Sequence, residues 1–258
     1  MSGSVGWSAA GGQAGNGILE TLGIAGPAIL AVILLIFILR AVFRQRRYRA
    51  ATTFTDTDRH AVREAIACAE RLTVGEILPV VVERSDPHPG ADWLAALCLL
   101  LLGSALLARS LPWTQPSLLL LSQLGMGAVG YGLARALPDF KRLFIFEDRA
   151  TAVAGEQAFQ EFYAHNLHRT EAATGVLIFV SLLERRVVVM ADEGIHSRVP
   201  AGFWEETKKV ILEGIRRDSL RKGLVAGIRL AGEQLATHFP WREGDRNEIP
   251  DRVIVRKE

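Results

Sequence analysis

Apolar positions fall into three patterns along the chain. The first is unbroken. Residues 22–39, extended by 41–43, and residues 93–108 and 118–134 are runs free of Asp, Glu, Lys and His. The second recurs at helical spacing. Ala61, Val62, Ala65, Ile66, Ala69 and Leu72 alternate with Arg59, Arg63, Glu64, Glu70 and Arg71, which predicts a soluble amphipathic helix over 55–72. Thr55 or Asp56 is placed to cap it. Similar spacing predicts helices over 147–170 (Val153, Phe159, Phe162, Tyr163, Leu167), 200–217 (Phe203, Trp204, Ile211, Ile215) and 219–239 (Leu220, Leu224, Ile228, Ala231, Leu235). Gly223, Gly227 and Ala231 give the last helix a small ridge for close packing.

The third pattern is short and β-branched. Residues 76–83, EILPVVVE, predict a strand, with Pro79 where no ladder bond is required. Residues 176–183 and 187–190 predict two paired, fully buried strands across the polar break Glu184-Arg185-Arg186. Together these elements predict an α/β domain: a small sheet of three to four strands with helices on both faces. The first part spans 54–84 and the second 143–240, separated by an insertion.

That insertion, residues 93–137, holds two of the unbroken runs. A short loop with Trp113 and two prolines joins them, so they predict a transmembrane hairpin. Residues 22–43 predict a further, N-terminal span, which makes three transmembrane helices in all. Residues 1–21 predict a disordered tail; positions 1–17 are rich in Gly, Ser and Ala without Lys or Arg, which argues against a cleaved signal peptide. Residues 241–258 predict a polar tail with an apolar end at Val253, Ile254 and Val255.

Charge orients this arrangement. Arg40, Arg44, Arg46, Arg47 and Arg49 follow the first run, and Arg135, Lys141 and Arg142 follow the third, against Arg109 alone in the outer loop. The basic ends belong on the cytoplasmic side, which places the N-terminus outside and the α/β domain in the cytoplasm. The spans lack the ionisable residues that proton and ion pathways leave at membrane depth, which disfavours a transporter. A pore of oligomerised hairpins would rest only on Gly125, Gly127, Gly130 and Gly132, and helix packing explains these better. A net charge of +2 gives no bulk argument for nucleic acid. The mean hydropathy of +0.20 beside 22% charged residues follows from the segregation of the two along the chain.

The candidate chemistry is sparse. Asp192 and Glu193 end the second buried run, where an open sheet places a site, and could hold a hard cation through oxygen ligands. Glu76, at the start of another strand, is the third candidate ligand. Surface turn and capping roles are the alternative for these acids and for His196. His165 and His168 have a metal-compatible spacing without an evident third ligand, and a solvated helix face explains them better. Asp56-Thr57-Asp58 looks like a phosphatase DxD but lacks the apolar strand before it, so capping explains its acids. No Cys-x5-Arg loop or P-loop is present, and no catalytic residue is assigned. Cys68 and Cys98 lie in unlike segments and are expected to form neither a disulfide nor a metal cluster.

In combination the chain resembles the TPM domain (TPM phosphatase) family over residues 54–254. The matching residues are Thr73-Val74-Gly75-Glu76-Ile77, Arg169-Thr170, Thr174-Gly175-Val176-Leu177-Ile178, Glu184-Arg185-Arg186-Val187-Val188-Val189, Asp192-Glu193-Gly194-Ile195, Trp204 and Gly227-Ile228. Asn247-Glu248-Ile249-Pro250-Asp251-Arg252 is similar to the NELPDR ending of a bacterial membrane-anchored subgroup. The resemblance implies an accessory, assembly or regulatory module at the bacterial cytoplasmic membrane, with lipid and other membrane proteins, LemA-type among them, as partners. It also implies an alternative: an acid-phosphatase-like hydrolase of phosphate esters with calcium as its cation. The sheet-interrupting hairpin and the thin acidic cluster depart from the family pattern.

Overall fold

A computed structural model describes residues 54–107, 116–217 and 219–256. The element order is α1 (Asp56–Glu70), β1 (Glu76–Val82), α2 (Pro89–Leu107), α3 (Pro116–Ala136), α4 (Pro138–Arg142), α5 (Glu147–Ala164), β2 (Gly175–Ser181), β3 (Arg186–Ala191), α6 (Glu193–His196), α7 (Glu205–Arg216), α8 (Leu220–His238) and β4 (Ile254–Arg256). A 3-10 turn, Leu167–Arg169, lies between α5 and β2.

The four strands lie in the order β3-β2-β1-β4. β1 runs parallel to β2 and to β4, while β3 is antiparallel to β2. Both faces of the sheet are covered. Ile77, Val81, Val176, Ile178, Val180 and Val187 pack with Val62, Ile66, Ile211, Leu224, Ile228 and Leu235 of α1, α7 and α8. Leu78, Val80, Val82, Leu177 and Phe179 pack on the other face with Ala154, Ala158 and Phe162 of α5. The side-chain period of two explains the split, and burial on both faces explains the continuous apolar runs of β1 and β2; the edge strand β3, expected to be fully buried, is only half-buried at five of its six positions.

Local chemistry fixes the ends. The Thr55 side chain accepts from the Asp58 N–H and Asp58 returns a bond to the Thr55 N–H, a capping box that starts α1. Pro79 occupies an edge-facing backbone position. Glu76 N–H bonds toward β2 and Glu83 N–H toward β4, so alternation turns position 79 to the β4 side, beyond the paired residues Val80–Val82. On the same side, the Ile77 N–H is taken by the Glu70 carboxyl oxygen Oε1 at 2.9 Å. At Gly175 a Cβ would overlap the Leu167 carbonyl oxygen, so the start of β2 accepts no side chain.

Three expectations change. The helix expected from Pro200 begins at Glu205, after turns through Gly202 at φ +80°. Phe159 and Tyr163 of α5 are exposed, stacked on each other at 4.7 Å, while Val153, Phe162 and Leu167 are buried. The tail is not merely polar: it returns across the sheet and supplies β4.

α2 and α3 form the expected antiparallel insertion. Gly130 lies where a Cβ would come within 2.7 Å of the Ala95 carbonyl oxygen, and Gly127 faces Leu100. Among the described residues, α3 is the one helix long and apolar enough to cross a membrane; the apolar part of α2, Pro89–Ala105, is shorter. The anchor expected over 22–43 lies outside the described residues.

Candidate functional site

The two ends of the sheet carry different polar constructions. At the end where β1 and β2 begin stand the residues singled out from the sequence. Asp192 accepts from the Glu193 N–H at 2.9 Å and caps α6, whose far end carries His196. Glu193 is exposed. Glu76 is buried, and its carboxylate accepts the N–H groups of Glu248 (3.2 Å) and Ile249 (3.1 Å). Burial raises its pKa, with help from Glu248 and Asp245 and against the two N–H bonds. The sheet thus places Glu76 and Asp192 at one end, with Gly175 between them in register. Their carboxylates are engaged separately, one by the tail and one by α6. Among the described residues no group of three or more His, Cys, Asp or Glu side chains is arranged to hold a metal ion.

A further acid at this end, Glu70, carries no motif that marks it in the sequence. Glu70 closes α1 and binds the Ile77 N–H through Oε1, while no donor among the described residues reaches its buried Oε2. Burial, opposed by the Ile77 bond and reinforced by Glu76 and Asp251, pushes its pKa up to about 9.

Asp192 follows the end of a strand as expected, and strand direction decides which end of the sheet that is. β3 is antiparallel, so its end lies beside the start of β2. The true carboxyl end of β1 and β2, where open α/β sheets place their sites, is built from the segments after those strands. Glu184 is buried in the β2–β3 turn. It accepts the Ser85 N–H at 3.1 Å, meets His88 Nε2 at 2.7 Å and receives the Ser181 hydroxyl. His88 is itself buried and holds φ +47°, with its N–H on Asp86. Asp86 pairs with Arg149 of α5 at 2.8 Å. Burial raises the Asp86 pKa, but the bond from the His88 N–H and the charges of His88 and Arg149 outweigh it and leave it lowered. Beside them Lys141 of α4, buried, donates to the Pro87 carbonyl at 2.5 Å and pairs with Asp92 of α2 at 2.9 Å.

These bonds join the sheet end, the root of the insertion and α4 into one buried polar junction. Of its two hydroxyls, that of Ser181 is committed to Glu184, while that of Ser85 is buried without a partner among the described residues. What the junction can do is fix the angle between α2–α3 and the sheet. The sequence pattern marks Glu184 only as part of a polar break. A carboxylate directly after the apolar run ending in Leu182-Leu183 was the available signal.

The strands and helices of this frame carry a family signature. Residues 142–234 match the family model for the TPM domain. This segment is a TPM domain. The match spans α5, β2, β3, α6 and α7 and most of α8; α1, β1 and β4, outside the matched residues, complete the sheet and its helical cover. No curated protein matches the chain. Among solved structures it is similar to the NMR structure of the BA42 protein from the psychrophilic bacterium Bizionia argentinensis, at 21% identity and a TM-score of 0.49, covering 78% of this chain and 94% of that one.

His165 and His168 do not converge within the TPM domain. His165 Nε2 pairs with Glu161 at 3.0 Å, and His168 stacks on Tyr163.

Proposed function

We propose that this chain is a membrane-held TPM domain that acts as an accessory, assembly or regulatory module at the bacterial cytoplasmic membrane. The observation that carries the reading is the α2–α3 pair. Trp93, Leu97, Leu101, Leu102, Leu120, Leu121 and Leu124 are exposed on it, a surface too apolar to stand in water. Its root fits an interface: Trp93 stacks on Tyr131 at 5.1 Å, and Arg135 bonds the Tyr131 hydroxyl. In this reading the hairpin and residues 22–43 give three spans, with the N-terminus outside and the α/β domain in the cytoplasm. Lipid is the first partner, and membrane proteins of the LemA type are the partners that the family resemblance adds.

The junction supports a regulatory role, because a change in hairpin tilt would act directly on the β2–β3 turn. The alternative reading as a calcium-assisted hydrolase of phosphate esters would require Asp192, Glu193 and Glu76 to rearrange together. Two measurements on the full chain test the choice. Alkaline carbonate extraction should leave it in the membrane pellet; release into the supernatant refutes the anchored module. Hydrolysis of a generic phosphomonoester, with and without calcium, should match that of Asp192→Ala; turnover lost in the variant would make the protein an enzyme.

A further inference from the structure

We infer that Leu143 and Phe146 form a second, shallow membrane contact that lays the TPM domain against the lipid headgroup layer; the inference rests on the hairpin being embedded. Leu143 and Phe146 are each 70% exposed, more than Trp93 at 67%. They are three apart in a segment folded as successive turns, with Leu143 N–H on the Phe140 carbonyl, Phe144 N–H on Lys141 and Ile145 N–H on Arg142. The intervening positions turn inward. Phe144 packs on buried Phe140 at 5.3 Å, and Ile145 packs against the sheet core. The segment is therefore held with two large apolar side chains outward.

Its position identifies what covers them. α4 packs against both α2 and α3 and follows α3 after one residue. The buried Lys141–Asp92 pair pins α4 to the root of the hairpin. Trp93, Tyr131 and Arg135, at that same root, are the residue types that sit at headgroup level. Leu143 and Phe146 thus continue the hairpin's apolar surface past its aromatic boundary. α4 has five residues, about 8 Å of helix, so both side chains stay within reach of the interfacial layer. An apolar pair at this depth lies on the bilayer rather than across it.

The test uses the full chain with Cys68→Ala and Cys98→Ala, reconstituted into phosphatidylcholine–phosphatidylglycerol vesicles. An environment-sensitive fluorophore is placed in turn at Phe146→Cys, Leu143→Cys, Leu102→Cys and Glu243→Cys. The expected result is a blue shift at 143 and 146, with quenching stronger from a nitroxide near the headgroup than from one at mid-chain. Position 102 should be quenched best from mid-chain, and position 243 by neither. Quenching at 102 with none at 143 and 146 overturns this inference and leaves the anchored reading standing. No quenching at 102, 143 or 146 overturns both. Equal quenching at 243 and 146 overturns the specific contact.

Discussion

Replacing Glu70 by Gln should make the protein less sensitive to alkaline pH. The native carboxyl holds its proton up to about pH 9, against an ordinary value of 4.5. An unfolded chain would release that proton near 4.5. Between the two values unfolding releases a proton, so stability falls as pH rises, by at most about 1.4 kcal/mol per unit. The contribution is complete below about pH 4.5 and gone above about 9. From pH 5 to pH 8 the loss is at most about 4 kcal/mol, a large share of the roughly 5–15 kcal/mol that holds a domain folded. Gln keeps an oxygen for the Ile77 N–H and presents an amide N–H toward Asp251, without titrating. Burial also raises Glu76, with the same sign, so the wild-type slope contains both groups and the difference between the two proteins isolates Glu70. Urea unfolding of the detergent-solubilised chain at pH 5, 6.5 and 8, followed by far-ultraviolet dichroism, supplies the comparison. The curves should agree near pH 5, and the variant should be the more stable by about 2–4 kcal/mol at pH 8. Parallel pH dependence in the two proteins, or a variant weaker at pH 8, would refute the protonated Glu70.

Other expectations concern the junction and the tight backbone approaches. Glu184→Ala should destabilise by about 3–5 kcal/mol, because His88 and the Ser85 N–H lose a buried partner; denaturant midpoints report it. Lys141→Met alone should cost about as much, whereas Lys141→Met with Asp92→Asn should recover most of the loss, since no buried charge is left unpaired. Gly175→Ala should lower the yield of folded protein or shift β2, because its Cβ has no room beside the Leu167 carbonyl; amide exchange across β2 would locate the change.

Much of this architecture was legible because burial leaves a period in the sequence. Ala65, Ile66 and Ala69 of α1, and Leu224, Ile228, Ala231 and Leu235 of α8, are buried as their spacing predicts. The strands were legible as short β-branched runs, and the edge position of Pro79 followed from its missing N–H. What periodicity does not carry is partnership. Phe159 and Tyr163 fit the α5 stripe, yet α5 meets the sheet through a narrower face of Ala154, Ala158 and Phe162. β4 is three residues long, and its place beside β1 depends on tail bonds to Glu76 from across the chain. The direction of β3 was within reach: a link as short as 182–185 joins only antiparallel strands, so Asp192 had to return to the amino end of β2. Glu70 and Glu184 look like ordinary surface acids, because only the fold removes them from water.

Topology then separates the two polar ends. The chain leaves β1 at its carboxyl end and must re-enter parallel β2 at its amino end. α5, with eighteen residues and about 27 Å of helix, makes that return. Whatever is inserted before α5 is left at the carboxyl end, and α2–α3 is inserted there. The junction of Glu184, His88 and Lys141 therefore sits at the hairpin's root, while Glu70, Glu76 and Asp192 lie about 20 Å away along β1. That exceeds the Debye length of about 8 Å at physiological salt. Their energetics should be independent: Glu70→Gln and Glu184→Ala combined at pH 8 should change stability by the sum of their separate effects, within about 0.5 kcal/mol. A larger departure would mean that strain at the hairpin's root reaches the tail strand through β1. The hairpin and the tail would then be two ends of one coupled device rather than separate anchors of the same sheet.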